Sequence, residues 1–111
     1  MDTLYTKACV YLLHDLNTQV YKVGRTTNLL KRVQQLNNVR YDPLVIVDYV
    51  PLNDREETVV IELYVLQQLQ PYIVMRNEWF RLPDLDVWRA ATEDAQAHLQ
   101  QLLERKVQAK Q

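Results

Sequence analysis

Glycine is almost absent from this chain: Gly24 is the single glycine in 111 residues. A sequence that otherwise avoids glycine keeps one where a Cβ would obstruct a backbone bend or the close approach of another group. Gly24 therefore marks either a tight turn or a point where a ligand nears the backbone. Cysteine is equally scarce. One cysteine, Cys9, excludes an intramolecular disulfide and a Cys-rich zinc site and suits a reducing compartment. On an apolar strand with no histidine partner it reads as a small core hydrophobe. No apolar run approaches the roughly 20 residues that cross a bilayer, and Met1 to Ala8 carries no signal-peptide pattern, so a soluble, cytoplasmic protein without a membrane partner is expected. A basic excess is missing too. The formal net charge is −1, whereas domains that grip nucleic acid over a broad surface are strongly basic. Any contact with nucleic acid must be local.

What the chain does contain suits one compact domain: 48% hydrophobic and 24% charged residues over 111 positions. The expected class is α/β (α+β), in the order ββαβα, with a short extended segment and a C-terminal helix. It would form a three-stranded antiparallel sheet with flanking helices, the core spanning about 8–82 and the last helix about 84–107.

The centre of this plan is Val10 to Arg32, VYLLHDLNTQVYKVGRTTNLLKR. Two short runs rich in β-branched and aromatic residues, Val10 to Leu13 and Val20 to Val23, flank the turn formers Asp15, Asn17 and Thr18 and predict a hairpin. Gly24 falls where strand gives way to helix. Thr26, Thr27 and Asn28 offer N-caps to a helix with apolar residues at Leu29, Leu30, Val33 and Leu36. Between Leu16 and Tyr41 lie five basic residues, Lys22, Arg25, Lys31, Arg32 and Arg40, and no acidic one. A hairpin registered about Leu16 and Asn17 sets Tyr11 across from Lys22, and the next helix returns Arg32 to the same end. Phenol, ammonium and guanidinium together suit a phosphate.

These residues resemble the core of the GIY-YIG nuclease superfamily. Tyr11 ends the first motif, Lys22-Val23-Gly24 corresponds to the second, Arg32 follows on the next helix, and Asn77-Glu78-Trp79-Phe80 resembles a Glu-Trp-Phe signature. The phrase YKVGRTTNLLKR is closest to a branch with a Lys-Ile-Gly second motif, common in phages, large DNA viruses and bacteria. The resemblance implies a metal-dependent endonuclease hydrolysing phosphodiester bonds, with nucleic acid, DNA foremost, as partner. It assigns Tyr11, Lys22, Arg32 and Glu62 to catalysis, with Glu62 holding Mg²⁺ or Mn²⁺ and Lys22 favouring a Tyr11 phenolate. Arg25, Lys31, Gly24 and Asn77 would contact substrate.

Further along, Pro43 to Val50 predicts a strand apolar on both faces, with Leu44, Ile46 and Asp48 on one side and Val45, Val47 and Tyr49 on the other; such a strand is central or covered on each side. Glu62 interrupts VVIELYVL in a helix expected from about Arg55 to Leu69 that is apolar nearly all round. An unpaired buried carboxylate is costly, so Glu62 needs a basic partner, Arg32 being the natural one, or a metal. Tyr72 to Met75 and Glu78 to Phe80 read as short extended pieces about a turn at Arg76-Asn77, with Trp79 and Phe80 closing the core. The stripe Trp88, Ala91, Ala95, Leu99 and Leu102 on the last helix packs either on the sheet or on a second copy of the chain, leaving a homodimer open. A binding module that has lost turnover is the alternative to an enzyme; it would hold nucleic acid in a salt-sensitive way and depend little on metal.

Overall fold

The computed structural model describes residues 7–76 and 78–109. The expected role of Asn77 and the lead-in before residue 7 lie outside the described residues. The elements are β1 (Cys9–Asp15), β2 (Val20–Thr26), α1 (Leu29–Asn37), β3 (Leu44–Pro51), α2 (Arg55–Gln68), a 3₁₀ turn (Gln70–Tyr72), β4 (Ile73–Met75), β5 (Trp79–Phe80) and α3 (Leu85–Ala109). Each helix starts on a side-chain cap that satisfies otherwise orphaned N–H groups. Asn28 accepts from the Lys31 N–H at 3.1 Å, Asp54 from Glu57 at 2.9 Å, and Asp84 from Asp86 at 2.9 Å. Glu56 and Glu57 add negative charge at the positive end of α2.

The sheet has five antiparallel strands in the order β3-β1-β2-β5-β4, where three were expected. The two short pieces after α2 are too brief to announce pairing in sequence, yet β5 hydrogen-bonds to β2 and β4 completes the far edge. The stretch expected to be central, β3, is an edge strand, with Val45 38% exposed. The strand buried on both faces is β1, whose residues from Cys9 to Leu13 are all buried. A bulge in the β1–β3 ladder, between Leu12 and Leu13, shifts the register from Leu12↔Asp48 to Leu13↔Ile46. One extra residue flips the faces beyond it. Tyr49 consequently joins Leu44 and Ile46 on the α1 side, while Val47 and Val50 face α2 and α3. Asp48 accepts a 2.8 Å hydrogen bond from Trp88 Nε1, tying β3 to the last helix.

The sheet separates two cores. On one face α1 covers Cys9, Tyr11, Leu13, Leu29 and Leu44. On the other, α2 lies on β1 and β2, and α3 packs against α2, burying Val10, Leu12, Val23, Ile61, Val65, Phe80 and Trp88. Each such aliphatic or aromatic side chain contributes roughly 1.5–3 kcal/mol on leaving water. Ala91 and Ala95 are buried here, so the first half of the α3 stripe packs within the chain. Helix α3 runs from Leu85 to Ala109, close to the expected span of about 84–107.

Candidate active site

The hairpin carries most of the candidate residues, and its register differs from the expected one. Four residues, Leu16 to Gln19, connect the strands, with Gln19 in the left-handed region at φ 64°. Asp15 Oδ1 accepts from the Asn17 and Thr18 N–H groups, holding the turn. The wider turn moves the pairing by two residues. Tyr11 lies opposite Gly24, and Lys22 opposite Leu13. An even shift preserves faces, so Tyr11, Lys22 and Gly24 still share one side of the sheet.

Gly24 is neither a turn residue nor the junction with the helix. It sits inside β2, which runs on to Thr26, and its φ is not positive. Its role is room. A Cβ there would lie 2.8 Å from Tyr11 Cε1 and nearer still to Cζ and Oη. The group that approaches this backbone is the Tyr11 ring.

Tyr11 is 1% exposed. Burial pushes its phenol above the ordinary value; a hydrogen bond with Arg32 and that residue's positive charge pull the other way, and the charges of Glu62 and Glu78 reinforce burial. Near neutral pH Tyr11 is therefore a phenol. The expectation that Lys22 favours a phenolate is not met, because Lys22 Nζ is paired with Glu78 Oε1 at 3.0 Å. Arg32 is the cation that meets Tyr11.

Glu62 projects from α2 toward the other face of β2. Its partner is Arg25, with Nε 3.4 Å from Oε1, and not Arg32. Its side chain is 20% exposed. Burial raises its pKa above the ordinary carboxylate value, Arg25 opposes this, Glu78 adds to it, and Lys22 opposes it. Helix α2 is not buried all round, since the apolar Leu63 is 57% exposed; Ile61, Val65 and Leu69 form the buried stripe.

Groups from opposite faces meet because β5 is only two residues long. It pairs with Tyr21 and Lys22, and Val23 N–H donates to the Glu78 carbonyl at 3.0 Å. Beyond that point, among the described residues, no strand flanks β2 from Gly24 to Thr26 on the side away from β1. Glu78 stands at this open edge and senses both Tyr11 and Glu62. The site thus unites Tyr11, Arg32 and Lys22 from one face with Arg25 and Glu62 from the other. Lys31 is exposed on α1.

Two contributors escaped sequence reasoning. Glu78, quoted as part of a signature but given no role, supplies a second carboxylate. Its signal was an acidic residue in a short apolar extended piece beside a tryptophan. Trp79, assigned to core closure, is only half-buried and carries two cations over its ring, Lys22 Nζ at 5.3 Å and the Arg40 guanidinium at 5.5 Å from the centroid. Phe80 does close the core, at 0% exposure. Cys9 is buried as expected, its thiol pushed up to about 11 by burial. His14 stacks on Tyr21, centroids 4.2 Å apart.

No three or more His, Cys, Asp or Glu side chains group as a metal-binding cluster among the described residues. No helix among them is long and apolar enough to cross a membrane. No curated protein and no solved structure matches the chain. The T5orf172 domain matches it over residues 8–96, a span that runs from β1 through the buried half of α3 and takes in every residue of the cluster. The chain belongs to the T5orf172 domain family.

Proposed function

We propose that this T5orf172 domain is a metal-dependent phosphodiester hydrolase of the GIY-YIG kind, acting on nucleic acid and foremost on DNA. The observation that carries the reading is Glu62. A carboxylate held in an otherwise apolar stretch of helix, against its solvation preference, is set beside Arg25 and within the field of Lys22, Glu78 and Tyr11. Sites that perform chemistry are where such costs are retained.

The donor set fits a divalent cation. Glu62 and Glu78 are close enough that one raises the other's pKa, a repulsion that a cation relieves, and both side chains reach solvent at 20% and 46% exposure. Mg²⁺ needs one or two carboxylates, the remaining positions going to phosphate oxygens and water. When bound, Mg²⁺ or Mn²⁺ neutralises phosphate charge and the departing oxygen. The protein's own part is electrostatic and positional. Arg32 and Arg25 offer forked donors to phosphate oxygens, Lys31 adds exposed positive charge, and Lys22 balances Glu78. Tyr11, a buried phenol, holds the Arg32 guanidinium; it orients rather than abstracts a proton in this arrangement.

A nucleic-acid-binding or regulatory module is the second reading. It is favoured by the ion pairing of both Lys22 and Arg25 with carboxylates and by the 1% exposure of Tyr11. Incubating labelled single- and double-stranded DNA and RNA with Mg²⁺ or Mn²⁺ separates the two. Cleavage that drops at least about 100-fold in Glu62→Ala, the scale on which single electrostatic contributors act, supports the hydrolase. Equal cleavage by wild type and Glu62→Ala overturns the metal role. Retained, salt-sensitive binding without any cleavage selects the module.

A further inference from the structure

Away from the site, α3 outruns the helix it packs on: it has 25 residues against 14 in α2. The two helices run antiparallel, with Tyr64 stacked on His98. Past that contact, Val60, Leu99, Leu102 and Leu103 line an open apolar groove of about 540 Å³. Leu103 and Val107 stay exposed beside it, at 36% and 58%. One rim of the groove is acidic, formed by Asp54, Glu56 and Glu57 at the start of α2, and the other is basic, formed by Arg105 and Lys106 on α3. Among the described residues no ion pair crosses between the rims.

We propose that this groove is a homodimer interface, filled by the distal half of α3 from a second copy. The charge layout selects that occupant. A two-fold axis lying in the interface and parallel to the groove exchanges the two rims, so each acidic rim meets the other copy's basic rim, and the match is made twice. A purely acidic or purely basic peptide satisfies one rim and opposes the other. The same rotation offers Leu103 and Val107 of each copy to the other's groove, covering apolar surface that is otherwise wet.

Sedimentation of the full chain at micromolar concentration tests the proposal. The wild type should sediment as a dimer, and Leu103→Glu should raise the dissociation constant at least tenfold with an unchanged circular dichroism spectrum. Glu56→Lys and Lys106→Glu should each weaken the dimer, and the two combined in one chain should restore it, since both residues are exposed and swapping them rebuilds the cross-copy pair. A wild-type monomer, a dimer indifferent to Leu103→Glu, or a charge swap that fails to restore association would each overturn the proposal. None of these outcomes bears on hydrolysis.

Discussion

At the scale of single residues, two positions carry physical costs of opposite kinds. Gly24 is a steric requirement: the Tyr11 ring fills the space where its Cβ would stand. Gly24→Ala should destabilise the fold by about 1–3 kcal/mol, the range for overpacking a tight core. In urea denaturation the penalty should shrink sharply in a Tyr11→Leu background; an undiminished penalty would place the clash elsewhere. Glu62 is an electrostatic cost. Its folded pKa is raised, chiefly by burial, so between the ordinary 4.5 and the folded value the native state holds more protons than the unfolded one. Stability therefore falls as pH rises through that window. Glu62→Gln should raise the melting temperature at pH 7, the gain vanishing below about 4.5, while abolishing metal-dependent cleavage. A lower melting temperature at pH 7 would mean that the Arg25 pair outweighs burial. The oddness of both residues was legible in the sequence, one as the single glycine, the other as a charge in a greasy helix. What each one faces was not, because partners arrive from other elements.

At the scale of elements, the hairpin turn governs which groups meet. Asp15 is 4% exposed. Burial alone would raise its pKa, but N–H donors from Asn17 and Thr18, the Thr18 hydroxyl and the Arg40 charge outweigh it and lower the value. A depressed carboxylate stabilises above its unfolded pKa and loses that contribution as pH falls below the ordinary 3.8. Asp15→Asn should cost about 1–3 kcal/mol at neutral pH, as expected for a buried, charge-assisted network left unpaired. The difference from wild type should close on acidification, read from denaturation midpoints across pH; a gap that persists in acid would assign the loss to packing. Arg40, held by Asp15, also lies over Trp79, so this turn supports the site's aromatic wall. The two strands and the turn formers of this hairpin were readable from residue type. Its register was not, since a loop of two and a loop of four are equally compatible with DLNTQ, and the β3 bulge leaves no mark in an apolar run.

At the scale of the whole molecule, a chain with net charge −1 sets only a few of its cations, Lys22, Arg25 and Arg32, about one open sheet edge. Binding to nucleic acid should be modest at physiological salt and steepen as salt is lowered. Arg32→Ala should reduce the slope of log affinity against log salt by about one, the change for one phosphate contact. An unchanged slope measured by fluorescence anisotropy would remove Arg32 from the interface. Taken by itself, the sequence determined the α/β order, the caps, the hairpin's existence and the identity of most charged candidates, because these rest on local propensity and periodicity. Only the tertiary structure decided that five strands rather than three form the sheet, that Arg25 and not Arg32 answers Glu62, that Glu78 joins them, and that the glycine makes way for Tyr11. Those outcomes depend on which distant surfaces come into contact, and packing between elements is a property of pairs that no single stretch of chain encodes.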